Sequence, residues 1–541
     1  MLGRRNPQRS FFEAQSLPHR VAADSFYGRM GAVSDGLFCD DDLAEMYCPD
    51  NGRPSLPPSL MSGVVLLQFY DDVSDGEAVA RTMYDLRWKV ALNLPLDFAG
   101  FDPSSLSVFR TRLVAHGQER YAFNRFIEVG RVAGFIPDRV TLLVDTTPAK
   151  GAGAVQDTYT LLRKGVRRLL KAMGFHLPGK RQGMAAPTRS LVATYLDQDS
   201  KADIDWADPQ QRAAHLKVLV QDVESTLELA SEHLDDPEVC TLGWVLTKIL
   251  GDDLVNDERG NPQIAQGTAP DRIISMTELD MRHGRKSAAR RFDGFKVAAA
   301  MEPESELLLD VADMPASGGD GKHLMPTIER VEEQSGLEVT QVIGDGAYNS
   351  GDNLVACATY PPHPVDLVVP FKRPADPEVN KSAFAIDLAG QTITCPQGHS
   401  VTGQPARDGQ GRAILKFTFP RCVCATCPLF EACVRSQSTG RSITTHAHEA
   451  ELQKARARQE SEAFKILYPT RSKVERKIAE LAHHGIRNTR YRGERKRQLQ
   501  RVWTGAVVNL KRLFRLAQER DVDLVAILAV LNQPQEALMG I

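Results

Sequence analysis

The chain has 541 residues, too many for one hydrophobic core, so we expect two to four domains. Its 42% hydrophobic and 25% charged residues are typical of a globular protein, and the lack of any run of eighteen apolar residues predicts that nothing spans a membrane. Nine cysteines, five of them between Cys395 and Cys433, favour a metal site in a reducing cytoplasm over disulfides, so we expect a cytoplasmic protein. The formal net charge of −3 would argue against a nucleic-acid binder, but this average hides strongly basic segments.

The N-terminal segment, residues 1–136, is expected to form a helical domain for DNA binding or dimerisation. The apolar stretch from Leu60 to Phe69 and the acidic first turn that opens at Asp75 both indicate helices. A later helix carries Arg110 and Arg112, which would suit a helix that reads DNA. A purely structural packing module is the alternative.

The strands that follow come in an informative order. Short apolar or β-branched runs predict strands at residues 140–145, 272–276, 294–300, 307–313 and 338–345, with a helix at 323–334 before the last of them. Strands, then a helix, then a strand is the order of the RNase H-like fold. We therefore predict an α/β (α+β) fold class with an RNase H-like catalytic core.

Two insertions are predicted to interrupt this core. Residues from about 150 to 270 are too many for a loop and contain segments of helical period, which indicates a helical insertion. A second, turn-rich insertion contains five of the nine cysteines. The predicted limits are 1–136 for the N-terminal helices, 137–371 for the first part of the core, 372–462 for the Cys-rich insertion, 463–520 for the second part of the core, and 521–541 for a C-terminal helix.

Three carboxylates occupy positions that suit metal-ion chemistry. Asp145 and Asp345 each end a predicted buried strand, whereas Glu475 lies on a basic helix. Together they could hold two Mg²⁺ (or Mn²⁺) ions, which prefer oxygen ligands and can promote attack on a phosphodiester. Each residue alone is more simply a turn residue or an exposed helical glutamate. Their joint order and setting favour the metal site.

The residues before Glu475 add to this hypothesis. In the spacing Tyr468-x2-Arg471-x3-Glu475, the arginine lies one helical turn before the glutamate. We expect Arg471 to orient that carboxylate or to clamp a phosphate, and Tyr468 to help position phosphates. An ordinary surface pair is the alternative. Glu480, five residues further on, is the substitute for Glu475 as the third ligand.

Basic clusters flank the candidate carboxylates. From Arg471 to Arg515 there are fourteen Lys or Arg residues and three Glu, a local charge of 14 − 3 = +11. Two further clusters lie between Arg163 and Arg181 and between Arg282 and Lys296. Such patches recognise backbone phosphates, although any one of them is also typical of a solvated helix face. The predicted DNA contacts are Tyr468, Arg471, Arg492, Arg495, Lys496 and Arg497.

The cysteines indicate a second kind of metal site. Cys424 and Cys427 form a C-x2-C pair, and Cys395 and Cys433 lie within the same insertion. These four residues are the predicted ligands of a structural zinc ion, because four soft ligands form a closed tetrahedral site. Cys422 and His399 are possible substitutes, and a cluster of reduced thiols without metal is the alternative.

The chain resembles the bacterial insertion-sequence transposases of the DDE class, in the branch with a Y-x2-R-x3-E catalytic helix. The resemblance rests on an N-terminal helical region and on four blocks, Val144-Asp-Thr-Thr-Pro, Gly344-Asp-Gly-Ala-Tyr, Tyr468-x2-Arg471-x3-Glu475 and Arg492-Gly-Glu-Arg-Lys. It implies that Asp145, Asp345 and Glu475 are catalytic ligands of two Mg²⁺ ions. It also implies a homodimer that cuts double-stranded DNA at terminal inverted repeats and joins the ends to target DNA. Members carry a Cys cluster before the last block, which supports the zinc prediction.

Two departures from the pattern limit the prediction. Ala482 occupies the position where some relatives have a lysine, and all four tryptophans lie outside the Cys-rich insertion, so a hairpin intermediate is not predicted. Two other functions remain open from the sequence. One is a nuclease of the same fold that does not join ends, and the other is a catalytically dead, zinc-stabilised DNA-binding protein.

Overall fold

The computed structural model describes residues 1–5, 18–198, 202–286, 289–372, 376–436 and 438–533. Residues 6–17 of the predicted N-terminal domain and residues 534–541 of the predicted C-terminal helix therefore lie outside the described part of the chain. None of the described helices is both long enough and apolar enough to cross a membrane.

The N-terminal region is helical, as the sequence predicts. Its helices are α1 (Phe26–Leu37), α2 (Pro58–Asp71), α3 (Asp75–Tyr84), α4 (Leu86–Ala91), α5 (Ser104–Ala115) and α6 (Tyr121–Val132). Ser74 caps α3, because its hydroxyl accepts a hydrogen bond from the backbone N–H of Glu77. Helix α2 is buried on almost every side. This explains why its sequence is apolar without a polar stripe.

The first strand of the core leads directly into the helical insertion. Strand β1 (Arg139–Lys150) is followed by α7 (Thr158–Ala172), α8 (Ala186–Val192), α9 (Pro209–Ala230), α10 (Pro237–Asp253) and the short hairpin β2 (Leu254–Asn256) and β3 (Pro262–Ile264). The apolar faces of these helices form a hydrophobic cluster of their own. The insertion therefore has an internal core that does not depend on the sheet.

The remaining strands build the central sheet around β1. They are β4 (Arg282–Arg285), β5 (Arg291–Met301), β6 (Leu308–Pro315), β7 (Glu338–Ile343) and β8 (Asp366–Val368), with α11 (Leu324–Ser335) before β7 and α12 (Gly351–Ala358) before β8. The order along the sheet is β4–β5–β1–β7–β8, and β6 also pairs with β5. Strand β1 is antiparallel to β5 and parallel to β7. This mixed arrangement of antiparallel and parallel strands agrees with the RNase H-like core that the sequence predicts.

One predicted strand is absent and one strand was missed. Residues 272–276 form no strand. Their apolar side chains, including Ile273 and Ile274, are buried while the segment runs as a loop. The strand Arg282–Arg285 escaped prediction because its residues are polar and basic. An apolar run indicates that a segment is buried, but a buried segment can be a loop as well as a strand.

The Cys-rich insertion contains small sheets and short helices. These are β9 (Ala385–Asp387), β10 (Thr392–Thr394), β11 (Ser400–Thr402), β12 (Gln404–Arg407), β13 (Ala413–Thr418), α13 (Arg421–Ala425), α14 (Phe430–Cys433) and β14 (Ser442–Thr444). Only a few apolar side chains, Phe417 and Phe419 among them, form the hydrophobic cluster of its described residues.

The chain then returns to the central sheet through five helices of the described segment 438–533. They are α15 (Glu449–Gln459), α16 (Glu462–Leu467), α17 (Ser472–His483), α18 (Glu494–Glu519) and α19 (Leu524–Leu531). Helix α18 runs between the N-terminal helices and strand β6 and is buried over much of its length. One hydrophobic cluster joins the N-terminal helices, the sheet, α17 and α18. The catalytic helix predicted from the sequence therefore packs on the central sheet.

Candidate active site

Asp145 lies within strand β1, and Asp345 lies two residues beyond the end of the neighbouring parallel strand β7. Leu143 of β1 pairs with Ile343 of β7, and each aspartate follows two residues later. Neighbouring strands are about 5 Å apart, so this register brings the two aspartates together. Asp345 begins a turn in which its carboxylate accepts a hydrogen bond from the backbone N–H of Ala347 at 2.8 Å.

Glu475 reaches the same place from helix α17. Val474, Ile478 and Leu481 form the buried face of this helix, which packs against β1. Glu475 lies on the edge of that face, and its side chain is 57% exposed. An amphipathic helix with an apolar stripe toward the sheet therefore presents this carboxylate to solvent, in contact with the same arginine, Arg471, that contacts Asp145.

Arg471 connects two of the three carboxylates. Its Nη2 lies 3.1 Å from Oδ2 of Asp145, and its Nη1 lies 2.6 Å from Oε1 of Glu475. The third nitrogen, Nε, is buried and has no hydrogen-bond partner among the described residues. The guanidinium thus holds the helix against the strand and keeps one donor for a further acceptor.

The electrostatics agree with this proximity. The pKa of Asp145 is raised to about 6, mainly by burial and also by the charges of Asp345 and Glu475, whereas Arg471 opposes the rise. Burial also raises the pKa of Tyr468, and the same three carboxylates add to that effect. Tyr468 lies in the turn Tyr468–Arg471 and stacks on Phe464, with ring centroids 5.2 Å apart.

A fourth carboxylate, Asp320, lies beside this group and was missed by the sequence analysis. It accepts a hydrogen bond from the Thr146 hydroxyl at 3.0 Å and forms an ion pair with Lys296 at 2.7 Å. Lys296 balances its charge, so Asp320 contributes less free negative charge than the other three. No strand or motif marks it in the sequence, because it begins a short 3-10 helix, Asp320–His323, before α11.

The donor set suits a hard divalent cation. Asp145, Asp345 and Glu475 supply carboxylate oxygens, the ligands that Mg²⁺ and Mn²⁺ prefer. Within the described ranges, however, no three His, Cys, Asp or Glu side chains are already spaced to hold a metal ion. In this arrangement Arg471 engages oxygens of Asp145 and Glu475, so these side chains would have to rearrange to accept a cation.

Glu480, the substitute for Glu475 in the sequence analysis, has a different environment. Its carboxylate lies 3.1 Å from Lys477 and 2.8 Å from Lys511. Glu480 therefore anchors α17 to α18, and Glu475 remains the candidate ligand.

The predicted zinc residues gather in the Cys-rich insertion. Cys395, Cys424, Cys427 and Cys433 line a small cavity together with His399. Burial raises the pKa of the Cys433 thiol, and the other three cysteines add to this effect. Cys422 is exposed and does not line the cavity. The four predicted zinc ligands therefore line one cavity. Among the described residues, however, no three such side chains are close enough together to hold a metal ion.

One predicted DNA contact is wrong. Arg497 is buried, with a side chain 3% exposed, and forms ion pairs with Glu278, Asp313 and Asp280. It faces the interior because α18 packs between the N-terminal helices and strand β6. Arg110, expected on a DNA-reading helix, is likewise buried and pairs with Asp75 at 2.6 Å.

The other predicted contacts of this segment lie on the surface. Arg492, Arg495 and Lys496 are exposed around the first turn of α18. Arg495 forms an ion pair with Glu119 at 2.6 Å. This turn therefore presents positive charge to solvent, which suits a contact with phosphates.

Comparisons with known families match two parts of the chain. Residues 394–514 match the Transposase DDE domain, and residues 15–112 match the Transposase domain (DUF772). The first match includes the four predicted zinc ligands, Arg471 and Glu475, but neither Asp145 nor Asp345. No curated protein and no solved structure gives a significant match. Together with the fold described above, these two matches support a transposase of the DDE class found in bacterial insertion sequences.

Proposed function

We propose that this transposase cuts DNA at the ends of its own insertion sequence and joins the freed 3′-hydroxyls to target DNA in a metal-dependent reaction. The observation that carries the proposal is the link from Arg471 to both Asp145 and Glu475 beside Asp345. Transposases of this class use divalent metal ions and act on DNA.

Each residue has a distinct role in this proposal. Asp145, Asp345 and Glu475 would hold two Mg²⁺ ions, which activate the attacking oxygen and stabilise the leaving one. Arg471 would turn its Nε toward a phosphate oxygen, since a buried donor without a partner is costly. Tyr468, next to the carboxylates, would help to position that phosphate. Two copies of the chain would hold the two ends of the element, as a homodimer.

The first experiment tests cleavage and joining. Its substrate is a duplex that carries the inverted repeats flanking this coding sequence, with Mg²⁺ present. We expect the wild-type protein to cut and join, and Glu475→Gln to lose both activities by orders of magnitude while it still binds DNA. The matched control is Glu462→Gln, another glutamate of this region whose side chain is 82% exposed and pairs with Lys465.

The outcomes separate the alternatives. Cleavage without any joined product would indicate a nuclease of the same fold. An inactive wild-type protein that still binds the repeats would indicate a dead DNA-binding relative. Normal cleavage by Glu475→Gln would show that the third ligand is assigned wrongly.

A structural zinc ion in the Cys-rich insertion is part of the proposal. Cys395, Cys424, Cys427 and Cys433 would hold it, and binding would draw their sulfur atoms together, because this insertion has only a small hydrophobic cluster. Purified protein should retain zinc through dialysis and release it to a strong chelator. Cys427→Ser should lose the zinc, whereas Cys240→Ser, at an exposed cysteine elsewhere, should keep it. Wild-type protein purified without zinc would contradict this part.

A further inference from the structure

Helix α7 of the helical insertion has one apolar face and one basic face. Leu162, Val166 and Leu169 are among its residues buried in the core of the insertion. On the other side lie the residues that we call the α7 basic face, namely Arg163, Lys164, Arg167, Arg168 and Lys171. At 1.5 Å per residue, this face extends over about 12 Å, which is longer than a single phosphate group.

Four residues of the α7 basic face, all except Lys171, form one wall of an open groove of about 510 Å³. Tyr195, Met276 and Thr277 line the opposite side. Arg168 donates a hydrogen bond to the backbone carbonyl of Met276, which fixes the two walls together. Of the described residues that line the groove, four are basic and none is acidic. The neighbouring carboxylate, Asp222, accepts a hydrogen bond from the Tyr195 hydroxyl at 2.6 Å.

The groove is connected to the basic first turn of α18. Thr277 of the groove is followed by Glu278, whose carboxylate accepts hydrogen bonds from the backbone N–H of Gly493 and from Arg497. Gly493 directly precedes α18, where Arg495 and Lys496 are exposed. These contacts of Glu278 thus join the loop that lines the groove to the start of α18.

We propose that the α7 basic face binds the phosphate backbone of duplex DNA and extends a path that begins at the first turn of α18. Positive side chains spread along about 12 Å of helix fit a run of phosphates better than one small anion. Such contacts add affinity and orientation rather than sequence choice. The inference rests on the proposed function only in taking DNA as the substrate.

The test measures binding separately from chemistry. The test variant combines Lys164→Gln, Arg167→Gln and Lys171→Gln in a protein that also carries Glu475→Gln. Its affinity for a duplex with the inverted repeats of the element is measured over a salt series, with a chelator present. Gln keeps a good helix propensity and removes the charge. We expect weaker binding. The slope of log K against log salt should become shallower by about 0.9 for each phosphate that the variant no longer binds, up to about 2.7.

Two controls make the result decisive. Lys217→Gln with Arg259→Gln removes two exposed basic side chains of the same insertion that do not line the groove, and the slope should stay unchanged. Lys164→Arg, Arg167→Lys and Lys171→Arg keep the charge and should bind like the parent. Melting temperatures identify any variant that loses its fold, in which case the double variant Lys164→Gln, Lys171→Gln is used instead.

An unchanged salt slope in the variant that lacks the charges of Lys164, Arg167 and Lys171 would overturn the proposal. An equally large change of slope in the control that lacks the charges of Lys217 and Arg259 would also overturn it. Failure of the proposed chemistry would look different. It would appear as a wild-type protein that does not cut, or a Glu475→Gln variant that does, while the salt slopes would still report the phosphates bound by α7.

Discussion

Arg471 and a divalent cation would compete for the same oxygens. The guanidinium lies within 3.1 Å of Asp145 and 2.6 Å of Glu475, whereas its Nε lacks a partner among the described residues. Because opposite charges attract strongly in a partly buried site, the arginine offsets the repulsion among three carboxylates. The same residue can thus stabilise the site and later contact phosphate, which explains why it precedes Glu475 by one turn.

The pKa of Asp145 gives a prediction about pH. Burial raises it to about 6, whereas the same group in an unfolded chain titrates near 3.9. Between these values the folded protein holds a proton that the unfolded chain has released. Stability without metal should therefore fall as pH rises from about 4 to about 6, by up to about 3 kcal/mol.

Urea unfolding in the presence of a chelator checks this. The wild-type protein should lose stability relative to Asp145→Asn between about pH 4 and about pH 7, because Asn does not titrate. A difference in stability that stays constant across this range would show that Asp145 is not perturbed.

Arg497 gives a prediction about stability. Its side chain is 3% exposed and pairs with Glu278 and Asp313, whose side chains are 1% and 9% exposed. Arg497→Ala would leave both carboxylates without this partner and should cost about 3–5 kcal/mol of unfolding free energy. Arg495→Ala, at an exposed ion pair, should cost less than about 1 kcal/mol in the same denaturant titration. Equal costs would contradict the buried network.

At the level of elements, helix α18 combines two functions along its length. Its first turn is exposed and basic, whereas the segment that follows is buried among the N-terminal helices, β6 and the loop at Glu278. The sequence shows a run of positive charge but not which side chains face inward, since Arg495 and Arg497 differ only in the partners that tertiary packing brings to them. This is why the sequence placed Arg497 with Arg495 and Lys496 among the predicted DNA contacts, although its side chain is buried.

The first turn of α18 should contribute directly to DNA affinity. Replacing Arg492 and Lys496 by Gln should weaken binding to every duplex and make the salt slope shallower by up to about 1.8, or about 0.9 for each phosphate contact. The cleavage rate of bound DNA should change little, because both residues lie on the exposed turn and outside the carboxylate cluster. Weaker binding to one duplex sequence alone would instead indicate a contact with base edges.

The elements of the sheet show what a sequence can and cannot predict here. The β-branched runs before Asp145 and Asp345 correctly predicted strands, but the predicted end at Asp145 is wrong, because β1 continues to Lys150 in its pairing with β5. The register that brings the two aspartates together depends on strand pairing between distant segments of the chain, and no local pattern contains it. Asp320 was missed for the same reason, since only the fold brings it to Thr146.

At the level of the whole molecule, distant segments of the chain meet beside β1, an interior strand of the central sheet. Asp145 comes from the first strand, Asp345 from a strand after the helical insertion, and Glu475 from a helix after the Cys-rich insertion. One hydrophobic cluster joins the sheet, the N-terminal helices and α17, whereas each insertion has a cluster of its own. Insertions with separate cores can carry DNA or metal contacts without altering the catalytic sheet, which suits the proposals for α7 and for zinc.

The central claim is that Asp145, Asp345 and Glu475 hold the same divalent cations. Fe²⁺ in place of Mg²⁺, with ascorbate and peroxide, generates hydroxyl radicals that cut the polypeptide next to the bound ion. We predict cuts close to Asp145, Asp345 and Glu475 that excess Mg²⁺ suppresses and that Glu475→Gln weakens at all three places. Cuts near only one of these residues, or a pattern that Glu475→Gln leaves unchanged, would contradict a shared metal centre.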